Sequence, residues 1–199
     1  MDYFISEIFY SIQGEGLLQG MPAVFIRLAG CNLRCPFCDT KYAWEKGNNK
    51  KDVGEIINEI KKFRCKKVCI TGGEPYLQDL KVLVSSLKKL NFWISVETNG
   101  TIWQEIEVDW ITVSPKIEGK NYHKDGFDRR FLEVANEFKY VITGEETFEF
   151  ISRDIRCPVI LQPVDNDLKI AEKIIKFLKK ERKENFYLRL QLHKILKIP

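Results

Sequence analysis

No apolar run in the chain approaches the ~18 residues that a membrane span requires, and its start, Met1-Asp2-Tyr3, lacks the basic stretch of a secretory signal. It has two histidines, His123 and His193, far apart in sequence, so no single segment carries a histidine-based metal site. There is no linker, internal repeat or low-complexity segment. Neither sign of charge dominates: 32 Lys+Arg stand against 28 Asp+Glu, a net charge of +4. Lysines cluster at 61–67, 169–183 and 194–197, but no basic stripe with interleaved aromatics marks a nucleic-acid surface. The 199 residues also fall short of a complete eightfold α/β barrel, which takes roughly 250. What remains is a soluble, cytoplasmic protein of one domain, residues 1–199, with no membrane or nucleic-acid partner.

What is present is an alternation of strand and helix signals. Apolar-rich runs at 3–10 and 23–29 read as strands, and a turn-rich loop follows from Gly30 to Thr40. Val53, Ile56, Ile57, Ile60 and Phe63 recur at helical spacing, and Asp52 with Glu55 forms a capping-box signature. Lys67–Thr71 reads as a buried strand, broken by Gly72-Gly73-Glu74-Pro75 and followed by a helix carrying Leu80, Leu83, Leu87 and Leu90. Further strands are predicted at 92–97, 109–114, 138–142, 158–162 and 186–192, with helices at 128–137, 145–153 and 167–183. Such alternation gives an α/β fold with a mostly parallel sheet. At this length it is a reduced, partial TIM-like barrel of about six core parallel strands with few helices. Gly-Gly-Glu-Pro, Thr98-Asn99-Gly100, Ser114-Pro115-Lys116 and Gln162-Pro163-Val164-Asp165 all fall at C-terminal strand ends, the edge where such folds bind ligands.

Chemistry concentrates in Gly30-Cys31-Asn-Leu-Arg-Cys35-Pro-Phe37-Cys38-Asp39-Thr40, which sets three of the six cysteines at spacing C-x3-C-x2-C. In a reducing compartment such crowding points to metal ligation. Thiolate ligands suit zinc or an iron-sulfur cluster, but a closed zinc site needs a fourth ligand, and none lies nearby in sequence. Three thiolates on a four-iron cluster leave one iron with an open coordination position. Cys65, Cys69 and Cys157 are candidates for a second cluster, although Cys69, mid-strand between Val68 and Ile70, also reads as a small buried hydrophobe.

The cysteine spacing, the aromatic Phe37 and the glycine-rich strand end at Gly72-Gly73-Glu74-Pro75 resemble the radical S-adenosylmethionine superfamily. The resemblance implies that the open iron binds the amino and carboxylate groups of S-adenosylmethionine, whose cleavage yields a 5'-deoxyadenosyl radical. Further stretches narrow the likeness: Glu7-Ile-Phe-Tyr10-Ser-Ile-Gln13-Gly14-Glu15-Gly16, Pro22 through Arg27 to Leu33, and Cys38-Asp39-Thr40-Lys-Tyr42-Ala-Trp44. With Glu97-Thr-Asn-Gly100, Ser114-Pro-Lys116, Gln162-Pro-Val-Asp165 and Gln191-Leu-His193-Lys194 running on to Pro199, the chain resembles the 7-carboxy-7-deazaguanine synthase family over nearly its whole length.

That resemblance implies a carbon-nitrogen lyase of 7-deazapurine (queuosine) biosynthesis. It contracts 6-carboxy-5,6,7,8-tetrahydropterin to 7-carboxy-7-deazaguanine with loss of ammonia, S-adenosylmethionine being a reusable cofactor and magnesium assisting. By resemblance Cys31, Cys35 and Cys38 hold the 4Fe-4S cluster and Thr40 the Mg2+. S-adenosylmethionine is met by Phe37, Cys38, Asp39, Gly73, Ser114, Pro115, Lys116, Gln162, Pro163, Val164 and Asp165. Substrate is met by Ile12, Gln13, Gly14, Glu15, Arg27, Thr71, His193 and Pro199. The chemistry is compatible: a pterin edge presents donors and acceptors that Gln13 and Glu15 can match. Arg27 offers the planar fork that a carboxylate prefers, and magnesium takes hard oxygen ligands such as a threonine hydroxyl. A homodimer and a low-potential flavodoxin or ferredoxin as electron donor are also implied. Two other readings stay open on the residues alone: an activase that makes a glycyl radical on a partner protein, and a non-catalytic iron-sulfur or zinc-binding module.

Overall fold

The computed structural model describes residues 1–116 and 126–199. His123 and most of the segment from Ile117 to Asp128, where the family likeness weakens, lie outside the described residues. Nine strands form one sheet in the order β3-β1-β2-β4-β5-β6-β7-β8-β9. They are β1 (Asp2–Ile12), β2 (Pro22–Leu28), β3 (Lys50–Asp52), β4 (Lys67–Gly72), β5 (Trp93–Thr98), β6 (Trp110–Val113), β7 (Glu137–Ile142), β8 (Val159–Pro163) and β9 (Phe186–Leu188). From β2 through β9 every neighbouring pair is parallel, whereas β1 runs antiparallel to both β2 and β3. Six helices punctuate them: α1 (Val53–Lys61), α2 (Lys81–Lys89), α3 (Phe131–Val134), α4 (Glu146–Phe150), α5 (Leu168–Glu181) and α6 (Leu192–Leu196).

The predicted capping box is present, with the Asp52 side chain accepting from Glu55 N at 2.8 Å and the Glu55 side chain accepting from Asp52 N at 2.8 Å. Ile56 and Ile60 are fully buried beneath it. Three expectations are corrected. The predicted helix at 128–137 is only the single turn α3, because its chain must enter β7 at Glu137. The strand predicted at 186–192 ends at Leu188 and gives way to α6, and β3 was not anticipated.

Strand residues alternate between faces, and the two faces differ in kind. Val24, Ile26 and Leu28 of β2, Val68 and Ile70 of β4, Ile94 and Val96 of β5, Ile111 and Val113 of β6, Phe138, Tyr140 and Ile142 of β7, and Val159 and Leu161 of β8 join the helices in one apolar core. The intervening residues, among them Arg27, Thr71, Glu97, Lys139 and Gln162, face a concave cleft instead. One side of the sheet is therefore a hydrophobic layer, and the other is a belt of polar side chains.

The sheet curls until its flanks meet. The turn after β1 crosses to the far strands: Leu17 N donates to Glu137 Oε2 at 2.8 Å, Gln19 Nε2 to the Leu190 carbonyl at 2.8 Å, and Leu192 N to the Gly14 carbonyl at 2.8 Å. Gly16 has φ of +66°, and a Cβ there would lie 2.2 Å from Glu137 Oε1, so the turn presses backbone directly onto that carboxylate. The strongest cross-link is electrostatic. Glu15 of this turn pairs with Lys139 of β7, their side chains 15% and 7% exposed, and Glu15 Oε1 also accepts from Gln162 Nε2 at 2.9 Å and Gln191 Nε2 at 2.8 Å.

Removing one partner of a buried ion pair strands the other. Lys139→Met is expected to lower unfolding free energy by about 3–5 kcal/mol, and adding Glu15→Gln to it should recover part of that loss. Urea titration of the single and double variants measures both, and strictly additive losses would contradict the coupling.

Candidate active site

The cleft has a volume of about 420 Å³ and lies at the C-terminal edge of the parallel strands. It gathers almost every residue singled out from sequence: of those expected to meet cluster, magnesium or cofactor, Cys31, Cys35, Phe37, Cys38, Asp39, Thr40, Gly73, Ser114, Lys116, Gln162, Val164 and Asp165, and of those expected to meet substrate, Ile12, Gln13, Gly14, Glu15, Arg27, Thr71, His193 and Pro199. Pro115 and Pro163 do not line it; they are buried behind their neighbours. Residues given no individual role from sequence also line it, notably Glu7, Phe9, Tyr42, Glu97, Lys139, Gln191 and Lys194.

The cysteine loop is held by backbone. Gly30 N donates to the Ala43 carbonyl at 2.8 Å, Cys31 N to that of Trp44 at 2.9 Å, and Glu74 N to that of Gly30 at 2.8 Å. A Cβ on Gly73 would stand 2.3 Å from the Gly30 carbonyl, so the glycine at the end of β4 lets that strand stack on the base of the loop. Buried Glu74 adds a second tie. It accepts from Tyr76 N, Thr98 Oγ1 and Asn99 N at 2.9, 2.7 and 2.6 Å, and Asn99 Nδ2 in turn donates to Asn32 Oδ1, beside Cys31, at 3.0 Å.

The donor set fits an iron-sulfur cluster better than a single metal ion. Zinc–sulfur bonds of about 2.3 Å in a tetrahedron bring sulfurs to roughly 3.8 Å of one another. Among the described residues the ligand atoms of Glu15, Asp39 and His193 lie within 4.8 Å of each other, and the three thiols form no such group. They are nonetheless near enough that Cys35 and Cys38, after burial, help push the Cys31 thiol up to about 11. Backbone N–H groups already face two of the sulfurs, Leu33 N to Cys31 Sγ and Thr40 N to Cys38 Sγ, each at 3.4 Å, as suits anionic thiolates. Buried Cys69 lies under Gln13, and half-buried Cys65 donates to backbone carbonyls of Pro22 and Lys67.

The Glu15 and Asp39 carboxylates, which converge with His193, already have cationic partners within the chain. Burial alone pushes the Glu15 carboxyl up, but the Lys139 ammonium and its hydrogen bond, with that of Gln191, bring it down to about 2. Burial likewise opposes ionisation of Asp39, while His193, Lys194 and Thr40 hold its carboxyl well below the usual range. His193 packs on the turn after β1: a Cβ at Gly14 would lie 2.4 Å from His193 Nδ1. Beyond them Gln13 Nε2 donates to Glu97 Oε1 at 2.7 Å and Thr71 Oγ1 to Glu97 Oε2 at 3.0 Å, giving the cleft a carboxylate wall. Two buried acceptors, Gln162 Oε1 and Gln191 Oε1, have no hydrogen-bond partner among the described residues.

The sequence profile of the radical SAM superfamily matches residues 25–126. The 7-carboxy-7-deazaguanine synthase of Aquifex aeolicus is 40% identical, across 96% of this chain and 91% of its own. That of Buchnera aphidicola is 34% identical over the full length of both. The chain belongs to the 7-carboxy-7-deazaguanine synthase family. Its fold agrees: the crystal structure of QueE from Escherichia coli superposes with a TM-score of 0.82 at 29% identity, covering 96% of this chain and 95% of that one. Relatives matched from end to end are synthases, which removes the ground for the glycyl-radical activase and for the non-catalytic module.

Lys139 escaped sequence reading because it lies inside an apolar run, Phe138-Lys-Tyr140, and Glu97, although part of the Glu97-Thr-Asn-Gly100 motif, was given no role. A charge at an odd position of a buried strand was the available signal.

Because the Glu15 carboxyl is depressed in the fold, its contribution to stability is present above its ordinary value near 4.5 and is lost as pH falls through about 2. In the cluster-free protein, the unfolding midpoint of wild type should exceed that of Glu15→Gln by a margin that is flat above pH 5 and shrinks on acidification. A margin independent of pH would remove Glu15 as its source.

Proposed function

We propose that this cleft contracts 6-carboxy-5,6,7,8-tetrahydropterin to 7-carboxy-7-deazaguanine with release of ammonia. The observation that carries the reading is the meeting, in one cleft, of a three-cysteine loop with an arginine fork and a polar inner wall. Cys31, Cys35 and Cys38 would hold the cluster. Gly73, Phe37 to Asp39, Ser114 to Lys116 and Gln162 to Asp165 would surround S-adenosylmethionine. Together those two groups, when bound, supply the radical that removes a hydrogen atom from substrate C6.

The chain's own residues bind and orient. Arg27 receives the substrate carboxylate, and Thr40, whose Oγ1 lies 3.5 Å from Arg27 Nη1, offers magnesium a hydroxyl oxygen beside it. Gln13, with its amide fixed between Glu97 and Glu15 N, and Thr71 meet the pterin edge along with Ile12 and Gly14. Glu15 acts mainly by fixing the turn, as its carboxylate already accepts from three side chains. His193 and Pro199 border the substrate from the α6 side.

A homodimer is supported by exposed apolar side chains at Leu168, Tyr187, Ile195 and Leu196, of which Tyr187 lies on the edge strand β9. A flavodoxin or ferredoxin would reduce the cluster through the half-buried Cys31 and Cys38 side of the loop. No helix among the described residues is long and apolar enough to cross a membrane, which is compatible with work in the cytoplasm.

Reconstituted, reduced enzyme with the pterin, S-adenosylmethionine and magnesium should form the deazaguanine. Cleavage of S-adenosylmethionine without product would refute the substrate. Gly14→Ala, by displacing His193, should lower product formation on the order of tenfold or more while leaving the iron content unchanged.

A further inference from the structure

We propose that Glu7 is a positioning residue: it fixes the Arg27 guanidinium in one plane and pins Tyr42 beside it, so that the cleft selects a substrate bearing a carboxylate. This builds on the pterin reading above and assigns the specificity to a residue outside the contacts already described.

The placement begins with an irregularity in β1. Ile5 pairs with Leu28 of β2, and Glu7 with Arg27, so Ser6 is an extra residue, a β-bulge. Before the bulge, Tyr3 and Ile5 point into the apolar core. After it, Glu7 and Phe9 line the cleft. Without that one-residue step the strand's odd positions would stay on the core face, and a carboxylate at residue 7 would be buried among aliphatic side chains.

On the cleft face a single oxygen then serves two donors. Glu7 Oε1 accepts from Arg27 Nε at 2.7 Å and from Tyr42 Oη at 2.6 Å. Burial, with Glu7 next, pushes the Tyr42 phenol up to about 12, so it stays a donor at neutral pH. Arg27 is held on its faces as well: its Cζ lies 5.4 Å from the Phe9 ring centroid and 5.9 Å from that of Tyr42. Phe9 is braced in turn by Phe25, stacked at 5.0 Å and 7°.

A guanidinium recognises a carboxylate through two parallel N–H bonds. Glu7 takes the Nε edge, and the remaining contact is Nη1 to Thr40 Oγ1 at 3.5 Å, so the Nη edge is turned toward the cysteine loop. An ordinary cross-strand ion pair stabilises a sheet modestly and would do no more. The shared oxygen, the aromatic clamp and the bulge instead fix a direction.

The test compares wild type, Glu7→Ala and Glu7→Gln by calorimetric titration with 6-carboxypterin and with pterin lacking the carboxylate. Alongside it, the Arg27 Nε–H signal is followed by NMR in the cluster-free protein. Wild type should prefer the carboxylated ligand. Glu7→Ala should lose that preference by about tenfold or more and lose the protected Nε–H signal. Glu7→Gln, which keeps an acceptor oxygen, should stay within about threefold of wild type. If Glu7→Ala keeps the preference and is only less stable, Glu7 is a sheet contact and the proposal falls. If wild type itself shows no preference, the pterin reading fails separately, and the Nε–H signal decides on Glu7: one unchanged by Glu7→Ala overturns the proposal.

Discussion

The interaction on which the rest depends is the ion pair between Glu15 and Lys139, enclosed by Gln162 and Gln191. An open sheet with seven parallel strands has no covalent reason to curl shut. Placing a lysine on the concave face of β7 creates a charge that cannot remain in a dry cleft without a counter-ion. The turn after β1 supplies one by folding across the opening, and Gln191 brings in the segment before α6. Three distant stretches, near residues 15, 139 and 191, are thereby fixed to one another. That closure, with the Leu192 N to Gly14 carbonyl bond, holds the wall against which His193 packs.

The second constraint is the two-residue period of the strands. The outer face is apolar enough to hold the helices, and the same period leaves alternate residues pointing inward, where the short α6 borders the cleft. The polar belt of the cleft is thus the other half of the sequence that makes the core. Only in β1 is the period interrupted, and the bulge at Ser6 lets one strand contribute Tyr3 and Ile5 to the core and Glu7 and Phe9 to the cleft.

Much of this was legible before any coordinates. The helix from Val53, its cap at Asp52, the strand-end motifs and the three-cysteine loop are local signals, each set by neighbours within a few residues, and all are found. The misreadings lie where a distant contact decides. Lys50–Asp52 pairs only because β1 offers an edge, and the run after Leu188 turns into α6 because Gly14 and Asn166 bind its backbone. The inward lysine of β7 was passed over, since a strand read for its apolar run conceals the alternate residue that faces the other way.

The charge pattern of the finished cleft explains why Arg27, among its cations, is suited to a ligand carboxylate. Lys139 is engaged by Glu15, and Lys194 by Asp165 and Asp39. Lys116 is drawn to the carbonyl and hydroxyl of Ser114, and burial holds its ammonium below the usual range. Each of these cations meets acceptors through a single ammonium that already has its partners. Arg27 differs in shape: one edge is tied to Glu7, while among the described residues the Nη edge has a 3.5 Å contact to Thr40. A planar cation can be anchored and still present two parallel donors, which an ammonium cannot. On the proposed reading, selectivity for an anion would follow from which cations the fold has already neutralised.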